Sequence, residues 1–147
     1  MTSASTASMR VYLAGPLFTE AERDFNLALA HRLEAAGYTV FLPQRDVAQY
    51  DKTPGYAKRI YHADLNGLRE AHIVVAVCDG IPMDDGTAWE IGYACGRGVP
   101  VIGLRTDERK VSDEERVNLM VQESLVDLFG HVDGVLEGLG RCRPSGS

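Results

Sequence analysis

The sequence predicts an α/β fold, an open doubly wound sheet of about five mainly parallel strands in three layers. Three observations carry that expectation. The run Ile73-Val74-Val75-Ala76-Val77 is continuously apolar, as in a parallel strand buried on both faces. Strand-like segments alternate along the chain with segments of helical periodicity. Loops rich in Gly, Pro and Asp follow the strands, on the side where such sheets bind ligands.

Residues 10–14 read as the first strand, stopped by Gly15-Pro16. Residues 19–36 read as a helix whose inner face carries Phe25, Leu29, Leu33 and Ala36. Thr19 is its expected N-cap, Glu22 the capping-box partner and Gly37 the stop. Residues 38–42 form the second strand, ended by Pro43, and a polar loop runs over residues 44–55. Residues 56–70 read as a helix with Ile60, Leu65 and Leu68 inward, leading into a strand at 72–78. Glu90 opens the next helix, which Gly96 and Gly98 close, and residues 99–104 make a fourth strand. Residues 114–128 read as a helix, and 132–136 as a short strand or part of a helix.

With 147 residues the chain is long enough for one domain with its own core. The expected division is a flexible arm at 1–9, a single domain at 10–137 and a flexible Gly-, Ser-, Pro- and Arg-rich tail at 138–147. A net charge of −6 without a basic run argues against nucleic acid as a partner. There is no apolar run of membrane-spanning length and no signal-peptide pattern at the start. Cys78, Cys95 and Cys142 are too scattered for a disulfide framework, and Cys78 and Cys95 read as reduced core residues. These features together predict a cytoplasmic protein. The four histidines show no metal-ligand spacing, and neither a Gly-x-Gly-x-x-Gly, a Walker nor a Gly-x-Ser-x-Gly pattern occurs. No metal and no cofactor are therefore expected.

The chemistry gathers in acids at one end of the predicted sheet. Glu90 lies among Ala88, Trp89, Ile91 and Tyr93, where a carboxylate is costly unless partners hold it. Asp64 lies on the helix before the third strand; Asp79, Asp84 and Asp85 follow that strand. Singly, each Asp fits a turn or cap, and Glu90 could cap a helix. Together they offer paired carboxylates in one cleft, the equipment for cleaving a glycosidic bond. Gly15 fits a tight turn that lets a ligand approach the backbone.

Four segments carry a resemblance: Tyr12-Leu13-Ala14-Gly15-Pro16-Leu17-Phe18, Asp64-Leu65-Asn66-Gly67, Asp84-x-Gly86-Thr87-Ala88-Trp89-Glu90-Ile91-Gly92-Tyr93-Ala94, and Asn118-Leu119-Met120. In this order, over about residues 10–125, a span of ordinary domain size, the chain resembles the nucleoside 2-deoxyribosyltransferases. The resemblance implies a flavodoxin-like fold and transfer of 2-deoxyribose between nucleobases through a covalent deoxyribosyl-enzyme intermediate. Its implied partners are small-molecule 2'-deoxynucleosides and nucleobases. Glu90 then corresponds to the nucleophile and Tyr12 to the residue that hydrogen-bonds and orients it. Asp64 and Asp84 correspond to two active-site acids, Asp64 favoured for protonating the departing base and Asp84 for holding the sugar. Phe18 would wall the base and Gln44 read its edge. Asn118 and Met120 correspond to residues supplied by a neighbouring subunit, which implies a homo-oligomer, dimer or higher, with shared active sites. The segment 141–147 departs from the terminal residues that close the site in well-known members. Two other readings stand beside this one: a hydrolase of 2'-deoxynucleoside 5'-monophosphates, and a non-catalytic nucleotide-sensing module.

Overall fold

In the computed structural model, which describes residues 8–142, five strands form one wholly parallel sheet. They are β1 (Arg10–Ala14), β2 (Thr39–Phe41), β3 (Ile73–Val77), β4 (Val101–Leu104) and β5 (Asp127–Phe129), in the spatial order β2-β1-β3-β4-β5. The helices are α1 (Glu20–Ala35), α2 (Pro43–Asp46), α3 (Tyr56–Glu70), α4 (Asp85–Gly96), α5 (Leu119–Gln122) and α6 (Val132–Cys142). The order reverses between β1 and β3, and the carboxyl ends there open the crevice in which ligands of such sheets bind. The predicted α/β, flavodoxin-like, doubly wound fold is the observed one.

The strand pleat divides the core. Val11, Leu13, Ile73, Val75 and Val77 face α1 and α6, packing with Leu29, Leu33, Val135 and Leu139. Tyr12, Ala14, Val74, Ala76 and Cys78 face the opposite layer, against Leu68, Ile91, Ala94 and Val121. All five residues of β3 are buried, and each Val or Ile there contributes about 1.5–3 kcal/mol before entropy is charged. The predicted capping box of α1 is present: Glu22 N–H donates to Thr19 Oγ1, and Thr19 N–H to Glu22 Oε1. Gly37 takes a positive φ of 98° just past the helix, a conformation that favours glycine.

Several expectations change. Residues 114–128 do not form a helix; only Leu119–Gln122 is helical, and β5 occupies Asp127–Phe129. Side chains satisfy the backbone that a longer helix would have paired. Gln122 accepts from Arg116 N–H and donates to Glu114 C=O, Glu115 accepts from Leu119 N–H, and Asn118 from Met120 N–H. The alternative left at 132–136 is settled as helix α6, whose first turn is held by His131 Nδ1 accepting from Gly134 N–H. That helix runs to Cys142 with Gly138 and Leu139 buried, so residues 138–142 are not a loose tail. Residues 8 and 9 are likewise not a free arm: Met9 packs on the core and its carbonyl accepts from Thr39 N–H. The remaining parts of the predicted arm and tail, 1–7 and 143–147, lie outside the described residues. Ala36 and Cys95 are exposed rather than inward, while Asn26 takes a buried place on the inner face of α1. Among the described residues no helix is long and apolar enough to cross a membrane.

Candidate active site

Three neighbouring elements converge on Glu90. Tyr12, fully buried on β1, donates from Oη to Glu90 Oε2 on α4. The Tyr12 ring stacks on Phe41 of β2, with centroids 5.4 Å apart and planes 13° apart. Phe41 can close in because α3 presents Gly67; a Cβ at Gly67 would lie 2.9 Å from the Phe41 ring. The glycine in the Asp64-Leu65-Asn66-Gly67 segment thus braces, through Phe41, the tyrosine that holds the glutamate. One turn earlier on α3, Asp64 enters the same cleft.

Helix α4 begins at Asp85, not at Glu90. Asp84 is its N-cap, accepting through Oδ2 from Thr87 N–H at 2.9 Å and Thr87 Oγ1 at 2.7 Å. Glu90 is therefore in the second turn, past the helix end whose partial positive charge would favour a carboxylate. The cap reading of Asp84 holds for one oxygen, and the residue still lines the cleft. Asp79 belongs elsewhere. It accepts from Thr106 N–H at 2.6 Å and Asp107 N–H at 3.0 Å, lacing the loops after β3 and β4 together. The buried Arg105 guanidinium completes that lacing by donating to the carbonyls of Cys78, Gly80 and Arg109.

The carboxyl groups are unusual acids. Burial pushes Glu90 up to about 7; the Tyr12 hydrogen bond opposes this, and the charges of Asp64 and Asp84 add to it. Burial alone pushes Asp64 up to about 6. Asp64 Oδ1 is a buried oxygen without a hydrogen-bond partner among the described residues. Tyr12 is held in its protonated, donating form by burial first and by the facing carboxylates second. The arrangement supplies a glutamate oriented by a phenol and, beside it, a second carboxyl raised toward neutral pH; with values of about 7 and about 6, the form with Glu90 ionised and Asp64 protonated is the minor one-proton form of the pair. A nucleophile paired with a proton donor can do this to a glycosidic bond.

The cleft around these groups has a volume of about 390 Å³. Gly15 and Phe18, predicted for the substrate, line it together with Glu90, Asp64 and Asp84. Gly15 also packs closely on β3: an added Cβ would lie 3.1 Å from Val77 Cβ. Gln44 does not line it. Its amide donates to Arg23 C=O at 2.9 Å and accepts from Asn26 Nδ2 at 3.1 Å, which leaves it tied to α1. Pro43 starts the short α2 and turns Gln44 that way. The glutamine that lines the cleft is Gln49, a residue the sequence reading missed. Tyr61 and Trp89 were also missed, although Tyr61 sits one helical turn from Asp64 and Trp89 is adjacent to Glu90. Asn118 and Met120 do not reach this cleft within one chain. They line a separate apolar hollow of about 600 Å³ with Ile81 and Val111, and Met120 is 72% exposed.

The geometry agrees with comparisons against known proteins. The family model described as nucleoside 2-deoxyribosyltransferase matches residues 11–133. A relative from Thermofilum pendens, described as "Putative 2'-deoxynucleoside 5'-phosphate N-hydrolase 1", is 30% identical over 142 residues, covering 92% of this chain and 96% of its own. Among solved structures, a conserved protein from Enterococcus faecalis V583 is 27% identical with a TM-score of 0.81, over 92% of this chain and 99% of that one. The 2-deoxyribosyltransferase of Bacillus psychrosaccharolyticus is 26% identical with a TM-score of 0.75, over 86% and 89%. With its sheet order, its tyrosine-held glutamate and a family match spanning nearly the whole domain, this chain belongs to the nucleoside 2-deoxyribosyltransferase family.

Proposed function

We propose that the protein transfers 2-deoxyribose from one nucleobase to another through an ester between the sugar and Glu90. The observation that carries this reading is the Tyr12–Glu90 hydrogen bond with the buried Asp64 carboxyl alongside. In the first half-reaction a Glu90 oxygen bonds to the anomeric carbon as the carbon–nitrogen bond breaks. The electron pair leaves with the base, and a proton from Asp64 neutralises it. In the second, a nitrogen of the incoming base bonds to the same carbon, the ester carbon–oxygen bond breaks, and the proton on that nitrogen returns to Asp64. Lacking a 2'-hydroxyl, the ring tolerates the positive charge that develops, and the carboxylate stabilises it. Asp64 suits the base because burial raises its proton affinity above that of an ordinary carboxylate; Asp84, with one oxygen committed to Thr87, suits a sugar hydroxyl. Gln49 replaces Gln44 as the side chain for the base edge: its amide donates to Pro43 C=O at 3.3 Å and its carbonyl oxygen remains for the ligand. Asn118 and Met120, unable to reach their own chain's cleft, suit the site of a neighbouring copy.

Hydrolysis of 2'-deoxynucleoside 5'-monophosphates is the second reading, favoured by the Thermofilum pendens relative's name. Against it stands the first loop. The N–H groups of Phe18 and Thr19, which would greet a phosphate at the start of α1, already donate to Glu22 Oε1. Arg23 commits its Nη1 to the carbonyls of Leu17 and Phe18. A dianion placed there would meet a carboxylate.

Chromatography of deoxyinosine incubated with the protein, with and without adenine, separates the readings. Deoxyadenosine appearing only with adenine supports transfer. Free hypoxanthine without any new nucleoside means hydrolysis, and no change removes the enzymatic reading of this substrate. Inosine should react far more slowly, because a 2'-hydroxyl withdraws electrons from the developing cation; equal rates on inosine would remove the deoxyribose preference. Faster cleavage of deoxyinosine monophosphate would move the chain to the hydrolase branch.

A further inference from the structure

Outside the carboxylate cluster the least expected feature is a ladder of rings at the cleft mouth. Tyr61 and Trp89 are 47% and 49% exposed, although both line the cleft. Their centroids lie 6.0 Å apart, with planes at 68°. Behind Trp89, Tyr93 stacks at 5.4 Å and 11°. Two arginines fix the far end: Arg97 lies over the Tyr93 ring at 5.6 Å, and Arg69 Nε donates to Tyr93 Oη at 3.2 Å. Large rings are normally placed so that burial rewards them. Here two helices hold an indole half in water, beside the nucleophile, with Tyr61 and Tyr93 packed against it.

We infer that Trp89, braced by Tyr61 and Tyr93, is the surface on which the incoming nucleobase stacks, and that it thereby sets how often the sugar ester ends in transfer rather than in hydrolysis. This rests on the transferase reading of the cleft. Once the sugar is on Glu90, two acceptors compete for the anomeric carbon. If a base nitrogen attacks, the new carbon–nitrogen bond forms, the ester electron pair returns to Glu90 and the base N–H proton goes to Asp64. If water attacks, its oxygen makes the bond, the ester carbon–oxygen bond breaks with its electron pair returning to Glu90, and Asp64 takes a water proton. Water is always present, so the base wins only if it is held in place beforehand and covers the ester. Stacking does this without regard to base identity, because every base has a π face. The pre-set ring pays no ordering entropy when the base arrives.

Trp89 is the chain's single tryptophan, so its fluorescence reports on one place. Titrating adenine into the protein, with inner-filter absorption corrected against free N-acetyltryptophanamide, should quench that emission in a saturable way. The partition test measures deoxyadenosine against deoxyribose formed from deoxyinosine at a fixed, subsaturating adenine concentration. In Trp89→Ala the transfer-to-hydrolysis ratio should fall and the KM for adenine rise by roughly tenfold, the scale of one lost base–aromatic stack. Trp89→Phe should recover most of both. A ring that merely joins α3 to α4 would lower both products together and leave their ratio alone. An unchanged ratio and adenine KM in Trp89→Ala overturns the inference, and so does a tryptophan signal that adenine does not alter. Should the wild type form no deoxyadenosine at all, the transferase reading fails by itself, and the fluorescence titration still decides whether bases stack on Trp89.

Discussion

At the residue scale, the candidate site is a stability sacrifice around one carboxylate. Glu90 sits where burial and two other acids oppose its charge, with a single phenol in support. Its folded pKa is raised, so the penalty is absent well below the unfolded value of about 4.3, grows through the folded value of about 7 and is full above it. Glu90→Gln should therefore stabilise the fold at pH 8 by on the order of 2 kcal/mol after allowing for solvent access, seen as a higher melting temperature, and change it little at pH 4. Thermal melts at the two pH values check the sign; a loss of stability at pH 8 would mean the ionised form is better held than its surroundings indicate. The same residues set the pH–rate profile. Attack needs Glu90 ionised and base departure needs Asp64 protonated, so kcat/KM for deoxyinosine should be bell-shaped, falling on the acid side with Glu90 and on the alkaline side with Asp64. Because both pKa values are raised, to about 7 and about 6, the bell should centre well above the ordinary carboxylate range. In Asp64→Asn the alkaline limb should disappear along with most of the activity on poor leaving bases. A rate that stays level down to pH 4 would contradict the Glu90 assignment, and one that stays level far into the alkaline range the Asp64 assignment.

At the scale of elements, the glycine of α3 shows how packing reaches the chemistry. Adding a methyl at Gly67 drives it into Phe41, which in turn is stacked on Tyr12. Gly67→Ala should cost about 1–3 kcal/mol as an overpacked core and also lower kcat, because the Tyr12 ring must shift relative to Glu90. Denaturant midpoints and initial rates measured together test this; full activity in a destabilised Gly67→Ala would unlink the brace from the glutamate. The same paths explain what was legible in sequence. β1, β3, α1 and α3 could be read because periodicity, caps and the buried run of β3 agree with the tertiary structure. The segment between β4 and α6 could not, because Glu115, Gln122 and Asn118 replace helical hydrogen bonds with their own side chains, and composition does not reveal that choice. Tyr12, Asp64, Asp84 and Glu90 were legible as parts of segments in a fixed order. That Gln49 lines the cleft while Gln44 is tied to α1 was not legible, because it follows from the course of the chain after β2. Tyr61 and Trp89 were not singled out, since only the packing of α3 against α4 shows them at the mouth.

At the scale of the whole molecule, each chain carries the acids of one cleft and, on a separate apolar hollow, Asn118 and Met120, which the proposed reading assigns to a neighbouring copy's cleft. If neighbouring copies share sites, inactive Glu90→Ala mixed with inactive Asn118→Ala under proven subunit exchange should recover part of the wild-type rate, through hybrid sites carrying both intact residues. No recovery would assign every site to a single chain. The proposed transfer depends on the sugar being carried, for a time, by Glu90 itself. Intact-protein mass spectrometry after brief exposure to deoxyinosine, quenched in acid, measures that directly. The wild type should show an added deoxyribosyl group that peptide mapping places on Glu90 and that adenine removes as deoxyadenosine, while Glu90→Ala, folded but slower by several orders of magnitude, should show none. An unmodified wild type turning over at full rate, or near-normal activity in Glu90→Ala, would contradict the covalent mechanism.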